Sequence, residues 1–126
     1  MNYSSYRAEI KNVKYVSDDG VYYTRTAIIT FLDELSNEKG TELYGHLQSS
    51  EIFEAIDRGD KIILDNCYVE DFSLSLYRSQ RKKDKKSFVR LNNFSAKNAL
   101  FSAHIANDFS FADFGDTHVS FEGTHF

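Results

Sequence analysis

The sequence has no proline and a single cysteine, and both absences limit what the protein can be. A lone cysteine cannot form an intrachain disulfide, so nothing points to an oxidising compartment, and Cys67 in its apolar run is predicted to be a small buried hydrophobe. No apolar run approaches the ~20 residues that span a bilayer, and residues 1–10 lack the apolar stretch of a secretory signal. We therefore expect a cytoplasmic protein with no membrane segment.

Signatures of catalysis are also lacking. The sequence has no Gly-x-Ser-x-Gly elbow, no recognisable Cys/His arrangement and no Gly-rich loop before a Lys and a Ser or Thr. Carboxylate pairs such as Asp18-Asp19 and Glu70-Asp71 fall at predicted turns or bends, which suits solvation better than acid/base chemistry. None of the four histidines has the i, i+4 spacing of helical zinc sites. They are His46, His104, His118 and His125. We expect no enzyme, no metal and no cofactor.

The first part of the chain is predicted to be β-rich, because β-branched and aromatic residues dominate it. Strands are predicted at Tyr6 to Val16 and Val21 to Leu32, joined by a tight turn at residues 17–20. After a polar loop at Asp33 to Gly40, a third strand follows at Thr41 to Leu47. The predicted core face of the second strand consists of Val21, Tyr23, Ala27, Ile29 and Phe31.

One short helix is predicted next. Ser49 and Ser50 are candidate caps, and Arg58 and Gly59 mark its end. Lys61 to Tyr77 then alternates like a long strand bent near Glu70-Asp71, and Ser87 to Leu91 is predicted to be a returning strand.

The resulting order, β-β-β-α-β-β, resembles the oligonucleotide/oligosaccharide-binding fold, or OB-fold. That resemblance covers Tyr6 to Asn92, depends on element order alone, and implies a five-stranded barrel with one helix over residues 1–94. Another small β-barrel or an α+β sandwich would leave the same pattern.

From Lys97 onward, apolar residues recur every five positions in two columns, a period that does not fit a helix. The first column is Ala99, His104, Phe109, Phe114, Val119 and Thr124, and the second is Phe101, Ala106, Phe111, Asp116, Phe121 and Phe126. A turn every five residues is the natural solution.

This segment, residues 95–126, resembles the pentapeptide-repeat proteins. The clearest match is Ala112-Asp113-Phe114-Gly115-Asp116, and Thr117-His118-Val119-Ser120-Phe121 is a looser one. The resemblance implies a right-handed four-sided β-helix, whose central apolar residue and the small residue two before it point inward. Lys97 and Glu122 interrupt the pattern in one register, and His104 and Asp116 interrupt it in the other.

Because so few coils cannot bury their own faces, we expect this segment to be the start of a longer solenoid, with docking or self-association as alternatives. An irregular Phe-rich edge strand is the simpler interpretation.

Charge is distributed unevenly. Residues 78–90 hold seven of the fifteen Lys and Arg but one of the nineteen Asp and Glu, so a positive patch stands on a strongly acidic body. The basic residues are Arg78, Arg81, Lys82, Lys83, Lys85, Lys86 and Arg90. On the barrel interpretation they lie in the hairpin between the fourth and fifth strands, which borders the ligand groove in OB-folds.

Cations beside exposed aromatic side chains are typical of single-strand binders, and Tyr22, Tyr44 and Phe88 are predicted to face outward. We therefore predict a binding module for single-stranded nucleic acid or another polyanion. A solvated loop, an acidic protein partner or lipid headgroups would also explain the charges.

A second hypothesis is a structural adaptor that binds another protein through its repeat surface, with the barrel as a cap. An acidic wall that mimics duplex DNA would favour it. The carboxylates in that segment are Asp108, Asp113, Asp116 and Glu122, which are sparse for such a mimic.

Overall fold

The computed structural model describes residues 5–18, 20–102, 107–115, 119 and 121–124. These residues are mainly β, with two short helices. The chain divides into two compact units, Met1–His46 and Leu47–Phe126. The boundary predicted between residues 94 and 95 therefore lies inside the second unit.

The first unit is built from antiparallel strands. Its strands are β1 (Ser5–Lys11), β2 (Tyr15–Val16), β3 (Tyr22–Tyr23), β4 (Thr26–Leu32) and β5 (Glu38–Leu47), the last of which runs one residue past the unit boundary. β4 pairs with β1 on one side and β5 on the other, and β2 pairs with β3.

The predicted first hairpin is confirmed. The Ser17 amide donates to the Val21 carbonyl at 2.9 Å, and Gly20 takes the left-handed conformation that closes the turn, with φ +83°. Each of the two predicted strands is divided in two. The short strands β2 and β3 form the tip of the hairpin, and the longer strands β1 and β4 form its base. In the longer pair, Lys11 lies opposite Thr26.

The predicted core face of the second strand is largely confirmed. Tyr23, Ala27, Ile29 and Phe31 are buried, and Val21 is half-buried. The polar loop that follows is shorter than predicted, because the Asp33 carboxylate accepts hydrogen bonds from the amides of Leu35 and Asn37, both at 2.9 Å. This local turn lets β5 begin at Glu38.

The second unit contains both helices and the remaining strands. They are α1 (Ser49–Arg58), β6 (Lys61–Ile63), β7 (Cys67–Glu70), α2 (Leu74–Gln80), β8 (Val89–Arg90), β9 (Asn92–Ser95), β10 (Leu100–Ser102) and β11 (Ala112–Asp113).

The predicted helix is confirmed as α1, with a different cap. Gln48 precedes the helix, and its amide donates to Glu51 Oε1 at 3.0 Å, so the two predicted caps lie inside the first turn. Gly59 ends the helix in the left-handed conformation, with φ +73°.

The long strand predicted over Lys61 to Tyr77 is wrong: a turn at residues 64–66 divides its first part into β6 and β7, and its last part is helical. The bend itself is present, since Asp71 has a φ of +51°. The Ser73 hydroxyl then accepts from the Leu76 amide at 3.1 Å and starts helix α2. Leu74 and Tyr77 are buried from one helical face, whereas Leu76 is 45% exposed.

The predicted pairing of residues 61–77 with 87–91 as a hairpin is also wrong. Val89 in β8 lies opposite Ala112 in β11, in a parallel ladder. β6 is parallel to β9, and β7 is parallel to β10 with Tyr68 opposite Leu100. The described residues form no closed barrel.

A fourth parallel contact joins Ser73 to Asp108. The four paired segments of residues 61–90 and their four partners in residues 92–113 therefore follow one another in the same order. The second half of the unit therefore runs alongside the first half in the same direction.

Twelve of the buried side chains in the second unit form pairs two residues apart, and the pairs are spaced by five. The pairs are Ile62 and Leu64, Cys67 and Val69, Phe72 and Leu74, then Val89 and Leu91, Phe94 and Ala96, and Ala99 and Phe101. None is more than 3% exposed. The segment containing α2 interrupts the spacing, so the five-residue pattern extends well before Lys97, where it was predicted to begin.

The first column, predicted to face inward, is buried only in part where it is described. Ala99 is fully buried, and the later members are intermediate in exposure. In the second column Phe101 is buried, but Phe111 is 41% exposed. His104, Ala106, Asp116 and Phe126 lie outside the described residues.

Phe94 is the centre of an aromatic cluster. Its ring centroid lies 5.8 Å from that of Phe109, 5.4 Å from that of Phe114 and 5.1 Å from that of Phe121. These contacts join successive pentads through a side chain that is 1% exposed.

We expect Phe94→Ala to lower the free energy of unfolding by about 3–5 kcal/mol, because it leaves a cavity among three rings. Phe88→Ala is the matched control, since Phe88 is 72% exposed, and should change stability by less than about 1 kcal/mol. Urea unfolding measures both, and equal losses would contradict the assigned burial.

Candidate nucleic-acid interface

The basic segment connects α2 to β8 as two tight turns. The Lys83 amide donates to the Arg78 carbonyl at 2.8 Å, and Lys82 takes a φ of +55°. The Ser87 amide donates to the Asp84 carbonyl at 3.0 Å, and the Lys86 amide donates to Asp84 Oδ1 at 2.8 Å. These bonds hold residues 82–86, which we call the lysine loop, in a defined conformation.

All four side chains of the lysine loop that carry positive charge are exposed. They are Lys82, Lys83, Lys85 and Lys86. None of them forms an ion pair with a carboxylate in the part of the chain that the structure describes. The positive charge of the loop is therefore presented to solvent.

Arg78, predicted to be a ligand-binding cation, is instead buried, with 2% of its surface exposed. Nη1 donates to the Ser110 carbonyl at 2.8 Å and to the Ser87 carbonyl at 3.3 Å. Nη2 donates to Ser110 Oγ at 2.7 Å and to Ser75 Oγ at 3.3 Å. The guanidinium therefore ties α2 to two later segments of the chain.

Arg81 is engaged with an acidic residue of α1. Its Nη2 lies 2.6 Å from Asp57 Oδ2, and its guanidinium lies over the ring of Tyr77, with Cζ 5.0 Å from the centroid. Hydrogen bonds from Arg81 and then Tyr77 hold the pKa of the Asp57 carboxyl below its usual range. Arg81, predicted to bind the ligand, is thus already paired with a carboxylate of the protein itself.

The phenol of Tyr77 completes this cluster. It donates to Asp57 Oδ1 at 2.6 Å. Burial, reinforced by the hydrogen bond to Asp57 and its negative charge, raises the pKa of Tyr77 to about 12.

Arg90 forms a weaker ion pair, with its Nη1 at 3.4 Å from Asp113 Oδ2. Its Nε also donates to Asn92 Oδ1 at 3.2 Å. Both charged side chains are about half exposed, so the pair contributes little to stability and Arg90 stays accessible.

The three predicted stacking residues have different environments. Tyr44 is buried, with 6% of its surface exposed, and its hydroxyl donates to Glu42 Oε2 at 2.7 Å, so the prediction that it faces outward is wrong. Tyr22 is 53% exposed, and Lys14 Nζ lies 4.5 Å from its ring centroid. Both tyrosines belong to the first unit.

Phe88 is the predicted aromatic residue that the structure places beside the lysine loop. It is 72% exposed and contacts the Phe111 ring edge to face at 5.8 Å. Phe111 in turn lies 5.6 Å from the Arg78 guanidinium carbon. An exposed ring and four exposed ammonium groups therefore share one short segment.

A cavity of about 440 Å³ adjoins this segment. It is lined by Ser75, Arg78, Ser79, Lys83 and Lys85. The sequence does not indicate the two serines as site residues, because their i, i+4 spacing brings them together only on a helix, and the alternation of apolar residues here predicts a strand. The Ser73 cap is the sequence signal that could have identified them.

Two other titratable side chains, those of His46 and Asp108, form hydrogen bonds within the protein. His46 is buried and its Nδ1 accepts from Arg25 Nε at 3.1 Å. Burial opposes ionisation of Asp108, but hydrogen bonds from Ser75 and Ser110 outweigh it and hold the pKa of that carboxyl well below its usual range. No group of three potential metal ligands is found among the described residues.

Of the carboxylates considered for an acidic wall, Asp108 and Asp113 are engaged within the protein, whereas Glu122 is exposed. Asp108 accepts hydrogen bonds from Ser73 and Ser75, and Asp113 pairs with Arg90. Asp116 and three of the histidines, His104, His118 and His125, lie outside the described residues.

Comparison of the chain with protein-family models, curated proteins and solved structures gives no match. In the described part of the chain, neither helix has the length and apolar character needed to cross a membrane. The candidate site is therefore interpreted from its own geometry.

The Tyr77 phenol should make stability depend on alkaline pH. Because its pKa is raised from the ordinary value of 10.0 to about 12, the fold favours the neutral phenol, and this contribution is complete below about pH 10. It is lost as the pH rises from about 10 to 12. Tyr77→Phe should lower the free energy of unfolding by about 1 kcal/mol at neutral pH. Between about pH 10 and 12, the variant should lose less stability than the wild type.

Urea unfolding at a series of pH values tests this expectation. Tyr22→Phe is the control, because Tyr22 is half exposed and its removal should leave the alkaline loss unchanged. An identical pH profile for the wild type and Tyr77→Phe would exclude the assigned role.

Proposed function

We propose that this protein is a non-catalytic binding module that holds single-stranded nucleic acid through the lysine loop and Phe88. The observation that carries the proposal is the exposure of four lysines, without ion pairs to the described carboxylates, on a chain whose formal net charge is −4. Cations that are already neutralised by the protein would have little attraction left for a polyanion. The four lysines of the lysine loop keep their attraction for a polyanion.

Electrostatics and stacking have separate roles in this proposal. Each ammonium group that neutralises a phosphate releases a condensed counterion, which makes the affinity depend on salt. The Phe88 ring offers a flat apolar surface on which a base can stack with little sequence preference. The acidic remainder of the chain repels the strand and confines it to the loop.

We further propose that the second unit begins a right-handed four-sided β-helix similar to that of pentapeptide-repeat proteins. Two features support it: the four parallel pairings follow one another in the same order, and buried pairs recur every five residues. In this arrangement α2 and the lysine loop are an insertion between the third and fourth sides of the first coil. A stacked scaffold would hold the insertion in a fixed position.

A structural adaptor is the second candidate function. The contact between exposed Phe88 and half-exposed Phe111 favours it, because paired apolar side chains at a surface are typical of protein-binding sites. Such a partner would be released by Phe88→Asp and would tolerate the loss of the lysines.

Fluorescence anisotropy with a labelled single-stranded oligonucleotide of about ten bases tests the leading proposal. Replacing the four loop lysines by Gln should weaken binding at least tenfold at about 50 mM salt. It should also make the dependence of log affinity on log salt shallower by about three, since about 0.7 counterion is released per phosphate.

The matched control replaces four exposed lysines elsewhere, so that the net charge changes equally. They are Lys11, Lys39, Lys61 and Lys97. This variant should retain most of the affinity. Equal losses in the two variants, or no binding by the wild type at low salt, would rule out the proposed role of the loop.

A further inference from the structure

The cavity beside α2 combines a buried cation with open polar groups. Arg78 donates four hydrogen bonds there, and all four go to uncharged oxygens. Its Nε is buried and has no hydrogen-bond partner among the described residues. The Ser79 hydroxyl, which also lines the cavity, makes no hydrogen bond within the described part of the chain.

The charge of this cavity is not balanced. No described carboxylate lies within ion-pair distance of the Arg78 guanidinium, and none lines the cavity. Burial of a cation is costly unless an anion accompanies it. Lys83 and Lys85 add two further positive charges at the same place. The site therefore favours an anion.

The lining groups suit a phosphate in particular. A phosphate group carries several acceptor oxygens, and ammonium and hydroxyl donors surround the space that it would fill. The volume of about 440 Å³ is ample for a phosphate with part of the attached sugar.

The neighbouring rings indicate what the phosphate is attached to. Phe111 contacts both the Arg78 guanidinium and the ring of Phe88. The exposed Phe88 ring is thus one side chain away from the buried cation, close enough for one short stretch of a strand to reach both places.

We propose that this cavity binds a phosphate group of the strand, with an adjoining base stacked on Phe88. This inference rests on the proposed function and assigns separate roles to the four loop lysines. Lys83 and Lys85 contact the phosphate in the cavity, whereas Lys82 and Lys86, which do not line it, supply only long-range attraction.

Two double variants with equal charge separate these roles. Lys83→Gln/Lys85→Gln removes the lining lysines, and Lys82→Gln/Lys86→Gln removes the outer ones. All four side chains are exposed, so both variants should fold, which circular dichroism checks. The lining variant should bind the oligonucleotide about tenfold more weakly than the outer variant.

Two further measurements identify the phosphate. Inorganic phosphate, compared with chloride at equal ionic strength, should raise the melting temperature of the wild type and of the outer variant, but not that of the lining variant. Oligonucleotides with and without a 5′-phosphate distinguish two cases. If the cavity binds a terminal phosphate, the wild type and the outer variant should bind the 5′-phosphorylated strand more tightly, and the lining variant should not. If the cavity binds an internal phosphate, the two strands should bind equally well.

Equal loss of affinity in the two double variants, with no effect of inorganic phosphate on melting, would overturn the cavity assignment and leave the proposed function standing. Absence of oligonucleotide binding by the wild type would instead defeat the proposed function. Stabilisation by inorganic phosphate would still support the cavity in that case.

Discussion

The guanidinium of Arg78 is the interaction on which the arrangement of the site depends. It lies inside the protein and donates to oxygens of three serines, one on its own helix and two on later segments. Only a side chain with several donors in a planar fork could join these segments at once. These bonds add to the other attachments of α2, which include the hydrogen bonds from Ser73 and Ser75 to Asp108 and the ion pair of Arg81 with Asp57.

Arginine and lysine have different roles in this segment. The three arginines contact other parts of the protein: Arg78 contacts carbonyls and hydroxyls, Arg81 contacts Asp57, and Arg90 contacts Asp113. The lysines remain in solvent. This division follows from the geometry of the two groups, because a guanidinium forms bidentate contacts while an ammonium is better hydrated. A charge count treats all seven as equivalent, whereas the folded protein does not.

The paired burial explains why a Phe-rich tail can belong to the core of the second unit. A strand that exposes alternate residues repeats its burial every two positions, but here the buried pairs recur every five residues. Phe94 and the rings around it fill the space between successive pentads. The aromatic side chains therefore pack between the parallel ladders, and among the described phenylalanines of the second unit Phe88 and Phe111 are the exposed ones.

Local chemistry made several elements predictable. The hairpin at Ser17 to Gly20 and helix α1 followed from turn residues and spacing, because their decisive interactions lie within a few positions of one another. Helix α2 could not be predicted in this way, because Phe72, Leu74 and Leu76 alternate as in a strand. The Ser73 cap and the burial of Tyr77 against Phe53 decide the outcome, and the second of these is a contact distant in sequence.

The sequence by itself determined the composition, the concentration of positive charge at residues 78–90 and the five-residue spacing of apolar side chains. Tertiary structure alone decided that the strands around the basic segment are parallel, that Tyr44 and Arg78 are buried, and that the unpaired charge belongs to the lysines. The reason is physical: pairing direction and burial depend on segments that are more than twenty residues apart along the chain, such as Val89 and Ala112. No local pattern records which distant partner each segment will meet.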